Sequence, residues 1–162
     1  MHCTGRKKAG ACEFGVRHKM NIEITKFSMS DYEEATAFWA SIPEVGLDDA
    51  DSISSMQSFI KRNPELSFVA RHGRELIGAV LCGHDGRRGY LHHLAVNPDY
   101  RGRGIGKRLV NKCLSALYRC GVSRCNIFVY SRNEKEKEFW EKTGWTTYDG
   151  LEIMYRNVEP NV

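Results

Sequence analysis

Gly102, Gly104 and Gly106 are interleaved with Arg101, Arg103, Ile105 and Lys107, immediately before a stretch with helical apolar spacing. Glycine admits positive φ and lets a ligand come close to the backbone. The first amides of a helix have no internal acceptors and carry the positive end of the helix dipole, so an anion seats well there. Arg101, Arg103, Lys107 and Arg108 add positive charge at the same point, and a pyrophosphate suits the combination. Two other phosphate motifs fail. A P-loop requires Ser or Thr after Gly-Lys and a glycine at its head, but Arg108 follows Lys107 and Arg101 holds the leading position. A dinucleotide fingerprint G-x-G-x-x-G would place its third glycine at Lys107, and no acidic residue stands at Gly121 to Arg124 to meet a ribose.

Other polar residues are spaced for chemistry elsewhere. On an alternating strand Tyr90 and His92 share one face, and His93 is expected to point the opposite way. The acidic stretch holding Glu44, Asp48, Asp49 and Asp51 could attract a cation, or could be the solvated N-terminus of a helix. Cys82, His84, His92 and His93 follow no common zinc spacing, so no metal is expected.

Positioning these groups calls for a series of elements. Ile22–Phe27 alternates as a strand, and Ser30 with Glu33 has the spacing of a capping box opening a helix to about Ala40, stopped by Pro43. A second helix runs near Ser52–Arg62 and is closed by Asn63-Pro64. Leu66–Arg71 and Glu75–Cys82 form a hairpin around His72-Gly73-Arg74. The loop Gly83–Gly89, carrying Arg87 and Arg88, leads to the strand Tyr90–Val96 and the glycine turn. Ile105, Leu109, Val110, Cys113, Leu114 and Leu117 then recur at helical spacing up to Cys120, with Gly121 past the end. Asn126–Tyr130 is a strand, Glu134–Thr143 a helix, and Trp145–Tyr148 with Leu151–Arg156 two last strands around Asp149-Gly150. The order is β-α-α-β-β-β-α-β-α-β-β, an α/β fold with a mixed sheet of about seven strands and four helices.

The chain of 162 residues, 41% hydrophobic and 27% charged, is read as one domain from residue 20 to 162. Residues 1–19 hold the whole formal net charge of +4, leaving the remainder neutral, which argues against a dedicated nucleic-acid binder. That head is read as a disordered leader, a cloning remnant or a misplaced start. No apolar run reaches the length of a membrane span, and the head lacks the apolar centre of a secretory signal. Six scattered cysteines without a C-x-x-C pair read as reduced thiols in a cytoplasmic setting.

The segment from Leu94 through Ala95, Val96, Asn97, Pro98, Asp99 and Tyr100 to Arg101-Gly102-Arg103-Gly104-Ile105-Gly106 resembles the acetyl-coenzyme A motif R-x-x-G-x-G of the GNAT N-acetyltransferase superfamily. Asn133 followed by Phe139-Trp140-Glu141-Lys142-Thr143-Gly144-Trp145 is similar to that family's later N…FYEK-GF segment. The resemblance implies a mostly antiparallel twisted sheet and an enzyme, monomer or homodimer, moving acetyl from acetyl-coenzyme A to a primary amine without an acyl-enzyme. It implies that Leu94, Ala95 and Val96 flank the pantetheine arm, that amides from Arg103 to Arg108 hold the pyrophosphate, and that Asn133 and Trp140 lie near the arm. Many relatives carry a tyrosine acid where this chain has Trp140, and some a glutamate base where it has Phe128. His92 is then the candidate base, with Tyr90 beside it, and Tyr130 the candidate acid. Without such stand-ins, the same fold would serve as an acyl-coenzyme A sensor with weak catalysis.

Overall fold

The computed structural model describes residues 21–158, so the expectations for residues 1–19 lie outside the described residues. Five strands make one sheet in chain order: β1 Ile22–Lys26, β2 Phe68–His72, β3 Glu75–His84, β4 Gly89–Val96 and β5 Cys125–Asn126. Every neighbouring pair is antiparallel except β4 and β5. Helices α1 Tyr32–Ala40 and α2 Ile53–Arg62 cover one face, and α3 Ile105–Arg119 and α4 Glu134–Lys142 the other.

The two apolar stripes of the sheet explain these layers. Val69, Ala79, Leu81 and Ala95 pack with Trp39 of α1 and Met56 of α2. Phe68, Ile77, Val80 and Leu91 pack with Leu109, Cys113 and Leu117 of α3 and Trp140 of α4. Asn63, directly after α2, is buried, and its Oδ1 accepts the His84 amide at 2.9 Å, tying that helix to the end of β3. Gly89 opens β4 against α3: a Cβ there would lie 2.5 Å from a Leu117 methyl. Gly89→Ala is therefore expected to overpack this contact and lower stability by about 1–3 kcal/mol. Reversible thermal or urea unfolding checks it.

Three expectations need correction. The first helix is capped two residues earlier than its spacing suggests: the Asp31 carboxylate accepts the Ser28 amide at 2.9 Å, and a short 3₁₀ turn, Met29–Asp31, precedes α1. Ser28/Asp31 and Ser30/Glu33 have the same spacing, and the earlier pair also meets Arg71, which donates to Asp31 Oδ1 at 2.9 Å. The strand expected at Asn126–Tyr130 pairs only through Cys125 and Asn126, because β4 diverges from it after that point. Trp145–Tyr148 and Leu151–Arg156 form no strands, so the sheet has five rather than about seven among the described residues. Their alternation marks an apolar face, but a strand exists only through a ladder partner, and Leu151, Ile153 and Tyr155 stay exposed.

Candidate active site

The glycine turn is built as its residue types require. Gly102 and Gly104 have φ of 74° and 75°, in the left-handed region, and a Cβ on either would meet nothing within 4 Å. Gly104 is the N-cap of α3, so the amides of Ile105, Gly106 and Lys107 have no acceptor inside the helix. The Arg108 amide, in contrast, donates to Gly104 O at 3.0 Å, and its guanidinium to Ile22 O of β1 at 3.1 Å. Arg108 therefore leaves the anion cradle, because a residue one turn into the helix both closes the first hydrogen bond and projects toward the sheet. Arg103 donates to Asp99 O at 3.2 Å and lies 5.5 Å from the Tyr100 ring. Arg101 bonds Val96 O at 3.0 Å and stands 3.9 Å from Glu44.

A cavity of about 660 Å³ runs from this turn along β4 to α4. Of the residues assigned to the cofactor side, Leu94, Ala95, Val96, Arg101, Gly102, Gly104, Ile105, Gly106, Lys107, Asn133 and Trp140 line it. Arg103 does not. The Asn133 side chain caps α4, accepting the Glu136 amide at 3.2 Å and donating to Glu136 Oε2 at 2.8 Å. Trp140, 5% exposed, donates its indole N–H to Glu136 Oε1 at 3.2 Å.

A second cavity, about 340 Å³, lies beyond it and is lined by His92, His93, Phe128, Tyr130 and others. Glu44, Val45, Leu94, Glu136 and Trp140 line both spaces, so the two adjoin. They open because β4 and β5 pair only at Gly89–Cys125 and Tyr90–Asn126 and then part. The two strands start together and then splay.

The register of β4 carries the main surprise. Ala79 faces Ala95 and Leu81 faces His92, so one residue of β3 opposes two of β4, His93 and Leu94. This is a β-bulge, and His93 takes a φ of 52°. The extra residue reverses the alternation: Leu91 packs with the α3 side, and Ala95 with the α1 side. His93 therefore does not point away from His92. It lies 5.4 Å from the Trp39 ring, while His92 lies 6.2 Å from Phe59, both on the α1–α2 face. His93 Nε2 is 2.7 Å from Asp51 Oδ1.

Burial holds the His92 imidazole below its ordinary pKa, His93 adds to the depression, and Asp51 opposes it. Tyr90 stacks between His92 and Phe128, with ring centroids 6.5 and 6.2 Å away, but lines neither cavity. Tyr130 lines the smaller cavity, is 58% exposed and lies 5.2 Å from the Arg132 guanidinium.

Of the acidic stretch, only Glu44 lines either space. Asp48 accepts the Ala50 amide at 2.7 Å and Asp51 the Asp48 amide at 3.0 Å, the capping role such residues favour. Arg87 and Arg88 line neither cavity; their amides both donate to Asp85 Oδ1 at 2.7 Å. Burial lifts the Cys125 thiol to about 12, and the hydrogen bond with Cys82 together with burial lifts that of Cys113, so these are core thiols rather than nucleophiles. Among the described residues no three His, Cys, Asp or Glu side chains converge as a metal site, and no helix is long and apolar enough to cross a membrane.

Glu136 escaped the sequence reading, although Asn133, Glu136 and Trp140 stand three and four apart on one helix face. That spacing was the available signal.

Comparison with known proteins follows the same lines. Residues 29–145 match the model of the acetyltransferase (GNAT) family. An acetyltransferase of Yersinia enterocolitica is 31% identical over 135 residues, covering 83% of this chain and 95% of that one. An acetyltransferase of Sodalis glossinidius is 29% identical over 133 residues, covering 82% and 93%. Among solved structures, the aminoglycoside N-acetyltransferase AAC(6')-Iy in complex with CoA superposes with a TM-score of 0.71 at 17% identity, covering 88% of this chain and 98% of that one. Rv2747 of Mycobacterium tuberculosis in complex with CoA gives 0.64 at 17% identity, covering 82% and 76%.

Proposed function

Because the chain belongs to the GNAT acetyltransferase family, we propose that it transfers acetyl from acetyl-coenzyme A to a primary amine by direct attack. The observation carrying this reading is the pair of adjoining cavities, one reaching the glycine turn and the other reaching His92. The turn fits a pyrophosphate: its glycines leave the backbone bare, and the amides of Ile105, Gly106 and Lys107 need an acceptor. Leu94 and Val96 would take the pantetheine amides as an added strand, and an amide there would support the oxyanion.

In the smaller cavity the acceptor arrives as an ammonium, since an alkylamine has a pKa near ~10. Its proton passes to neutral His92, directly or through water. The amine nitrogen then bonds the thioester carbonyl carbon, the C–S bond breaks, and the second proton that the nitrogen must lose passes to water. The departing thiolate takes a proton from Tyr130 or leaves as the anion; the Trp140 indole serves neither as acid nor base. Glu44 and Glu136 border the path and favour a cationic acceptor.

The test is thiol release from acetyl-coenzyme A with a panel of alkylamines, amino sugars and peptides bearing free α-amines or lysines. Turnover with any of them is the expected result. Trp140 and Phe128 favour a second reading, an acyl-coenzyme A sensor. Tight cofactor binding with no release across the panel would establish that one.

A further inference from the structure

Asp51 is the point where three segments meet. Its Oδ1 lies 2.7 Å from His93 Nε2 on β4, its Oδ2 accepts the Asp48 amide at 3.0 Å, and its carbonyl accepts the Tyr32 hydroxyl of α1 at 2.9 Å. Both partners are well covered, with side chains 11% exposed for Asp51 and 18% for His93. His93 is the bulged residue, held at a positive φ that ordinary side chains disfavour. Such a conformation persists only where the surroundings hold it, and here they are the Asp51 carboxylate and the Trp39 ring, 5.4 Å away. The stretch ahead of Asp51 supplies Glu44, Val45 and Gly46 to the wall of the smaller cavity. Its other anchors are the Val45 amide, which donates to Ile42 O at 3.0 Å, the packing of Val45 and Leu47 against the α1–α2 side of the core, and Glu44, 3.9 Å from Arg101.

We propose that Asp51 and His93 form a clasp fastening the wall segment 44–51 to the bulge of β4, and that this clasp sets the affinity for the acceptor. Both are positioning residues: they shape the space where the amine sits, and neither lines the larger cavity that reaches the turn of residues 102–107, which the clasped segment borders only through Glu44 and Val45. The affinity claim rests on the acetyl-transfer reading; the clasp itself does not.

Asp51→Ala removes the hold on both His93 and the Asp48 amide. His93→Asn keeps a residue that tolerates the left-handed region but is too short to reach Asp51, and serves if the first variant fails to fold. Asp51→Asn retains an oxygen acceptor and is expected to restore part of the effect. Hydrogen–deuterium exchange of the full chain, without any ligand, should show faster exchange at 44–51 in the two disruptive variants and no change in α3. With the best amine of the panel, its KM should rise about tenfold, the scale of one lost charge-assisted hydrogen bond, while acetyl-coenzyme A affinity by titration stays within about twofold. Unchanged exchange at 44–51 overturns the clasp whatever the activity. An equal loss of acetyl-coenzyme A affinity overturns the positioning claim. If the wild-type protein turns over no amine, acetyl transfer fails and the exchange arm still decides the clasp.

Discussion

Gly104→Asp is expected to weaken acetyl-coenzyme A binding by about a hundredfold while leaving the fold intact, a loss of about 2.7 kcal/mol. Gly104 sits at φ 75° with open space where a side chain would project. Aspartate puts both a side chain and a negative charge there, and the carboxylate faces the place assigned to the pyrophosphate. Gly104→Asn separates the two effects, because asparagine tolerates this region and adds no charge. Its affinity should fall far less than that of the aspartate variant. Isothermal titration with acetyl-coenzyme A, beside a thermal melt to show folding, gives the answer. Wild-type affinity in a folded Gly104→Asp protein would remove the pyrophosphate from this turn.

His92→Ala should lower kcat/KM for the amine by about 10²-fold or more, the usual worth of a positioned general base. The pH profile is the sharper readout. Neutral imidazole is the active form, and burial keeps His92 neutral to lower pH than an ordinary histidine. Activity should therefore persist downward through about pH 6.5 and fall only below it. In the variant this acid limb should disappear, leaving the ionisation of the amine itself. An unchanged profile would clear His92 of the role. The same depression has a stability sign: below about pH 6.5 the unfolded chain binds the proton more readily than the folded one, so wild-type stability falls as pH drops through the folded value. His92→Ala should flatten that dependence.

Which features were legible in the sequence follows from how locally each is encoded. The apolar repeat from Ile105 to Leu117 and the glycines before it are properties of adjacent residues, and α3 with its cap lies where they place it. The hairpin of β2 and β3 likewise shows in two apolar runs around Gly73. The bulge in β4 has no such signature. Tyr90 to Leu94 reads as continuous alternation, and the extra residue shows only in the register against β3, between the Ala79–Ala95 and Leu81–His92 pairs. That single register shift put His93 on the wrong face and hid its contact with Asp51, 42 positions earlier. Arg108 failed for a related reason: its charge was visible, but its reach to the Ile22 carbonyl depends on how α3 crosses β1. The last two expected strands failed because alternation at Leu151 and Ile153 says which face is apolar and not which strand stands alongside.

The bulge also divides β4 into two stretches of opposite parity. Before it, even-numbered side chains such as Tyr90 and His92 project toward α1 and α2; after it, Leu94 and Val96 project toward α3 and α4. One strand thus serves two chemical tasks from its two stretches, and Leu94, just past the bulge, borders both spaces. Removing the residue at position 93 would set Leu94 directly opposite Val80 and let the alternation run unbroken, so His92 and Ala95 would keep their faces while the wall where the amine is held would lose its second histidine and the contact with Asp51.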